Sequence, residues 1–530
     1  MASLKPMAAL AAVAVALSLA GCSPSTESSD DAVLTMLSPE PSQGLDPALA
    51  FADASRIPMA MIYETLVERD EEGVLVGSLA EDWTISDDGI TYTFTLKDSS
   101  FSDGSAVTAD DAVFSLERAA AGEVLGGSLS LVESIVAEGD DTVVVTLTTP
   151  SSGFLTTLAT PGSAGILSRA AVEAAGDDYF VQPTATSGPW SLEEYVPLSH
   201  ATMVANDGYY NPPIIQTIEY VFSEDQTTHS AAIESGSADI AGVGYADAQR
   251  LKEAGGDIQV VEVDQLAPLF WGWDRTKAPF DNTDVRHAVA WAVDREGRIE
   301  ACWYGTGAVT YGNILRPWDP AFVEIDAFAA EDRAAALETA GELLDGAGWV
   351  LADGATVRTS SGVPGVADGT PLAFSVPYEG NWPAAECHVQ VLQQNLAEVG
   401  IEVTPQSYDA AAYWGDVSTG AFTMYHGGAG AIDSADLYFN WFTTDGSLTA
   451  LTTHLSDPEI DAKVAEARSA EDPADAIAIY QELEQWQAEV LPMLVVGYQW
   501  PQTALGPRVE GWTTRVDSDS RYLVSMSVTG

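Results

Sequence analysis

The chain has 530 residues, with 79 acidic against 21 basic side chains and a formal net charge of −58. Such a surface repels nucleic acid and anionic lipid headgroups, so neither is expected as a partner. The composition, 46% hydrophobic with 14 Trp, is globular, and the length calls for at least two cores.

The N-terminal stretch predicts an export signal. Met1 to Pro6 carries one charged side chain, Lys5, and Met7 to Ala20 is an apolar run of small residues. That run is short of the roughly 20 residues a membrane helix needs. Leu19-Ala20-Gly21-Cys22 then ends a secretory signal over 1–21, with Cys22 as the lipidated first mature residue. Stable anchoring takes at least two acyl chains. Segment 22–31 has no large apolar residue and reads as a flexible tether. The remainder is expected to be held at the extracytoplasmic face, in the periplasm or at the cell surface, since no later segment approaches a membrane span.

Hairpins come next. Trp83 to Ile85, the turn Asp87-Asp88-Gly89 and the alternating Thr91 to Leu96 form one; Ser134 to Ala137 and Thr142 to Leu147 form another. Between them Thr108 is placed to cap a helix whose first turn is acidic. Segment 67–187 therefore reads as an α+β subdomain. From Ile214 the pattern changes to strand (217–222), helix (227–235), strand (238–243), helix (246–254) and strand (258–263). That alternation predicts an α/β sheet. A helix starts at Asn282 with Val285, Ala288, Val289, Ala292 and Val293 on one face. Further helices are expected near 331–346, 383–398 and 473–489, and an apolar strand over 493–498. Cys302 and Cys387, the cysteines after Cys22, are open to pairing or to two buried thiols.

Catalytic patterns are missing. The six His are isolated, no His-Glu-x-x-His occurs, and Pro161-Gly-Ser-Ala-Gly165 fails the nucleophile-elbow pattern at its first position. Paired carboxylates are too abundant to single out a glycosidase. No catalytic residue, cofactor or resident metal is expected; Asp517-Ser-Asp519 reads as a solvated turn. Aromatics carry more information. Trp271, Trp273, Trp382, Trp414, Trp441 and Trp500 lie in or beside strands and Gly-containing loops, where flat faces serve either a ligand pocket or a core. On an alternating strand Trp271 and Trp273 point the same way and are expected to share one fate.

Several motifs together resemble the extracytoplasmic solute-binding proteins of peptide/nickel-type ATP-binding-cassette importers. They are Leu79-Ala-Glu-Asp-Trp-Thr-Ile-Ser-Asp-Asp-Gly89, Phe101-Ser-Asp-Gly104, Thr108-Ala-Asp-Asp-Ala-Val-Phe-Ser-Leu-Glu-Arg118 and Thr186-Ser-Gly-Pro-Trp190. Asn206-Asp-Gly-Tyr-Tyr210, Val285-Arg-His-Ala288 with Asp294-Arg295, and Gly346-Ala-Gly-Trp349 also fit, so the resemblance runs from about Leu45 to about Pro501. It implies an α/β, two-lobed periplasmic-binding-protein-like fold (type II) with an extra α+β subdomain on the first lobe. Lobe I would take 32–66, 188–270 and 496–530, the subdomain 67–187 and lobe II 271–495, with hinge strands at Leu266 to Trp273 and Pro492 to Gln499. A monomer would enclose a small solute between the lobes and pass it to a permease. Peptide is the first ligand class, oligosaccharide or another solute the alternative; a secreted hydrolase or a structural surface lipoprotein are the readings from other classes.

The resemblance also aligns Tyr425 to Phe439 with a loop that grips a peptide's α-amino group. Ala431 falls at the amine-binding position, where relatives carry Asp, and Asp433 stands two residues on. Either Asp433 takes that role through a shifted loop, or the solute has no free amine there and Trp stacking with His426 and Gly-loop backbone donors recognises it. Together these readings nominate Phe51, Trp271, Trp273, Trp382, Trp414, Tyr425, His426, Asp433, Tyr498 and Trp500 as ligand contacts.

Overall fold

The computed structural model describes residues 33–41, 44–49, 53–70, 74–122, 124–151, 153–160, 162–223, 225–262, 267–380, 382–428, 434–446, 448–470, 472–513 and 520–529. Cys22 and the signal and tether segments lie outside them.

Two α/β lobes are built around separate sheets. The first sheet has seven strands in the order Gln259–Glu262, Gln502–Leu505, Ile240–Val243, Val33–Ser38, Thr217–Phe222, His200–Ala205 and Trp190–Val196. Its centre is parallel: Val33–Ser38 runs alongside both Thr217–Phe222 and Ile240–Val243. Parallel neighbours need long crossovers, and the helix Gln226–Ser235 supplies one. Asp225 caps that helix by accepting from the Thr227 N–H at 2.9 Å.

The second sheet has four strands, in the order Ala308–Val309, Met493–Tyr498, Pro268–Trp273 and Met424–Gly428. Pro268–Trp273 and Met493–Tyr498 are buried at every position, which is why they read as unbroken apolar runs. The chain enters this sheet from Gln259–Glu262 and leaves it into Gln502–Leu505, so two strands carry it between the lobes. A separate parallel pair, Ala373–Glu379 with Glu402–Tyr408, is joined by the helix Pro383–Glu398.

A third sheet, in the order Ala80–Ile85, Thr91–Leu96, Thr142–Leu147 and Val132–Ala137, forms from the two predicted hairpins. The helix Ala109–Ala121 packs on it. The Asp111 carboxylate accepts from the Thr108 backbone N–H at 3.0 Å and hydroxyl at 2.6 Å, closing a reciprocal cap.

Cys302 and Cys387 are bonded, with Cα atoms 5.7 Å apart. The bond ties the helix Arg295–Trp303 to the helix Pro383–Glu398. Among the described residues no helix is long and apolar enough to cross a membrane.

The lobes touch on two sides. Tyr245, which opens the helix Tyr245–Ala254 of the first lobe, packs on Trp303 of the second with ring centroids 5.8 Å apart. On the other side the Arg468 guanidinium lies 3.9 Å from the centre of the Phe439 ring and donates to the Ser128 carbonyl at 3.0 Å. A side chain at Gly127 would press on that ring at 3.2 Å.

Candidate functional site

Strand pairing places the first members of the site. In the antiparallel register His426 stands opposite Trp271, and directly opposed side chains on one face of a sheet touch. Their ring centroids are 4.9 Å apart. Trp382, just before the helix Pro383–Glu398, lies 4.8 Å from His426. His388, one turn further along that helix, puts Nδ1 3.1 Å from His426 Nε2. Trp303 meets His388 edge-on at 5.0 Å, and the Arg298 guanidinium sits 4.5 Å from the Trp303 ring centre.

These groups are buried. His388, His426, Trp271, Trp303 and Arg298 are all at most 1% exposed. Burial, aided by the charge of Arg298, holds the His426 pKa down at about 3. Burial, then Arg298 and His426, pushes His388 well below the usual histidine range. Both imidazoles are therefore neutral at pH 7, and their mutual contact is one N–H donating to one bare nitrogen. The Tyr413 hydroxyl donates to the His426 carbonyl and fixes the strand from behind.

The other nominated residues divide. Trp273 shares the Trp271 face of the strand but has other neighbours: it stacks on Phe280 at 5.3 Å and its Nε1 donates to the Leu491 carbonyl at 3.1 Å. Trp271 Nε1 has no partner among the described residues, so the two indoles differ in surroundings although both are buried. Tyr425 points to the opposite side of the sheet, against Phe270, with its hydroxyl donating to the Thr452 carbonyl. A Cβ at Gly272 would overlap the Tyr425 ring, which accounts for glycine between the two tryptophans. Trp414 donates to Glu379 at 2.8 Å. Tyr498 donates to the Asn313 and Leu315 carbonyls, beneath the Arg316 guanidinium. Trp500 is half-buried just beyond the crossing strand. Phe51, Ala431 and Asp433 fall outside the described residues.

Thus Trp271, Trp382 and His426 come together, while Trp273, Tyr425, Trp414, Tyr498 and Trp500 sit apart from them. Sequence reasoning missed Tyr245, Arg298, Trp303 and His388. A signal for two of them was present: Trp303 follows Cys302 and His388 follows Cys387, so the disulfide that joins the helices also sets these two rings against each other. The cluster has no nucleophile beside a base, and among the described residues no group of three His, Cys, Asp or Glu side chains is placed to hold a metal.

Comparison with known proteins agrees with this architecture. The family described as bacterial extracellular solute-binding proteins, family 5 Middle, matches residues 74–449. The glutathione-binding protein GsiB of Shigella dysenteriae serotype 1 (strain Sd197) is 27% identical over 484 residues, spanning 85% of this chain and 86% of that protein. Among solved structures, NikA from Brucella suis in complex with Fe(III)-EDTA superposes with a TM-score of 0.82 at 22% identity, covering 94% of this chain and 100% of that one. The oligopeptide-binding protein AppA from Bacillus subtilis, in complex with a nonapeptide, gives 0.78 at 22% identity, with 94% and 99% covered. These are binding proteins and not enzymes, and the chain belongs to the bacterial extracellular solute-binding proteins, family 5.

Proposed function

We propose that this chain is the lipid-anchored, extracytoplasmic receptor of an ATP-binding-cassette importer, which encloses a small solute between its lobes and hands it to the permease. The observation that carries the reading is the pair of strands crossing between two sheets, with aromatic and basic side chains gathered where the lobes meet. A hinge of this kind closes on a ligand by rigid-body rotation. Peptide is the first ligand class, supported by relatives named for glutathione and for oligopeptides. A non-peptide solute is the second reading, favoured by Ala431 at the amine-binding position.

Native mass spectrometry of the signal-free protein as purified identifies the enclosed solute. Calorimetry of wild type and Asp433→Asn against peptides and oligosaccharides then separates the two classes. Peptide binding that Asp433→Asn abolishes supports the shifted loop; oligosaccharide binding indifferent to it removes the peptide reading.

Two further outcomes are expected. Cys22→Ala should move the protein from the membrane fraction to the medium or periplasmic fluid, and a variant that stays with the membrane contradicts the lipid anchor. Arg468→Ala removes the charge-assisted hydrogen bond to Ser128 and the stacking on Phe439. Such a contact is worth about 1.5–3 kcal/mol, so the closed state weakens and the dissociation constant rises roughly ten- to a hundredfold. Unchanged affinity in calorimetry would show that these contacts do not hold the closed form.

A further inference from the structure

Arg298 stands out against the composition of the chain. With 79 acidic side chains for 21 basic ones, carboxylates are plentiful, and other arginines use them: Arg118 reaches Asp46, Arg250 reaches Glu234 and Asp247, and Arg358 reaches Asp345. Arg298 is 1% exposed and pairs with no carboxylate among the described residues. Only its Nη2 is satisfied, donating to the Val496 carbonyl at 3.1 Å. Among the described residues its Nε and Nη1 have no partner. Arg286, on the preceding helix, shows the contrast: it donates to the carbonyls of Phe280, Val490 and Leu491 and leaves nothing over. Arg295 is in a similar condition, with Nη1 donating to the Ala290 and Val293 carbonyls and Nε and Nη2 without a partner among the described residues, but it lies over Tyr311, whose hydroxyl donates to Glu296, so a carboxylate is close by.

A buried charge with no counter-charge costs several kcal/mol, and burial, with Arg295 adding, pulls the Arg298 pKa down to about 9. The groups around it share its condition. Trp303 Nε1, His388 Nε2 and Trp271 Nε1 are all buried and, among the described residues, unpartnered. When His426 Nε2–H donates to His388 Nδ1, the His388 Nε2 carries a proton and becomes a further donor. One fixed positive charge and, in that tautomer, three neutral N–H groups match an anion with two acceptor oxygens. The location fits as well: the first lobe's Tyr245 covers Trp303, and Val496 lies on a strand that crosses between the lobes.

We propose that Arg298, with Trp303 and His388, forms a carboxylate-binding subsite of the interlobe cleft, so that the solute carries an acidic end which becomes the counter-ion of Arg298. Opening of the lobes lifts Tyr245 from Trp303, the carboxylate enters, and closure seals the pair from water, where charge-assisted hydrogen bonds are strongest. The inference rests on the solute-binding reading and narrows it to acidic solutes. The Cys302–Cys387 bond holds the two helices that carry these side chains in register.

Ligand-stripped protein, unfolded and refolded with the disulfide intact, tests this by thermal melting in sodium acetate, with acetamide as the neutral probe, at ionic strength held constant with chloride. Acetate supplies the carboxylate alone. Acetate is expected to raise the wild-type melting temperature by roughly 2–4 °C at tenfold saturation, and acetamide is not. Arg298→Met should lose the acetate response and, without acetate, melt no lower than wild type, because a long apolar chain replaces an uncompensated charge. Arg298→Lys keeps the charge and a weaker response, and serves as the second variant if the Met form does not fold. No acetate response in wild type, or an equal one in Arg298→Met, overturns the subsite. If the co-purified solute proves neutral while the lobes still close on it, the subsite fails and the receptor role stands; if the lobes close on no solute, the receptor reading itself fails.

Discussion

Cys387→Ser is expected to destabilise the protein by about 4–5 kcal/mol. The bond closes a loop of 85 residues, and the chain-entropy relation gives about 4.6 kcal/mol for a loop of that length. The loss should appear in urea titrations as a lower midpoint for the lobe that holds both cysteines. Reduction of the wild type should reproduce it, and a midpoint indifferent to both treatments contradicts the bond. A second consequence follows from position. Trp303 and His388 are the residues next to the bridging cysteines, so their edge-on packing loosens when the helices are released. Solute affinity should fall together with stability.

Acidification is expected to weaken the fold through the buried imidazoles. His426 titrates near pH 3 when folded because it is buried beside Arg298, against about 6.5 in an unfolded chain. Its folded pKa is depressed, so its contribution is complete above pH 6.5 and is lost as pH falls toward 3. Between pH 6.5 and 4.5 the unfolded state takes up a proton that the native state refuses, which costs ~2 kcal/mol through this residue. His388 is shifted in the same direction by burial, by Arg298 and by His426 and steepens the loss. The many surface carboxylates act on the same pH range, so the decisive quantity is a difference. The slope of unfolding free energy against pH should be shallower in a His388→Gln, His426→Gln double variant than in wild type. Equal slopes would mean that the imidazoles are not buried neutral.

Much of the fold was legible because local rules agreed with tertiary demands. Thr91–Leu96 and Thr142–Leu147 alternate, and the structure pairs them with one face buried. Asn282 caps the helix Thr283–Ala292 by accepting from Asp284 N–H at 2.8 Å, as its side chain and the apolar spacing implied. The parallel pair Ala373–Glu379 and Glu402–Tyr408 was not foreseen. Its strands contain Pro377 and Pro405 and mix polar with apolar residues, and their pairing depends on a helix 16 residues long bringing them together.

The candidate site is less legible in the sequence for a related reason. Trp271, Trp382 and His426 were nominated from aromatic faces and from a resemblance of loops. Arg298, Trp303 and His388 sit on helices, where an arginine near a helix start or a histidine among apolar residues has no local mark. What marks Arg298 is its place among Trp303, His388 and Trp271, whose donors also lack acceptors among the described residues, a property of the packed molecule. Trp271 and Trp273 show the limit of periodicity. The strand puts them on one face as expected, but Phe280 and the Leu491 carbonyl engage only Trp273.

Small-angle X-ray scattering bears most directly on the receptor reading. The signal-free protein should be measured as purified, after its solute has been stripped by unfolding and refolding, and after the solute identified by mass spectrometry is returned. Two lobes on a pair of crossing strands predict a larger radius of gyration in the stripped protein and recovery of the compact value on addition of the solute. Superimposable curves in all three states, with the solute bound in the first and third, would contradict closure of the lobes around a ligand.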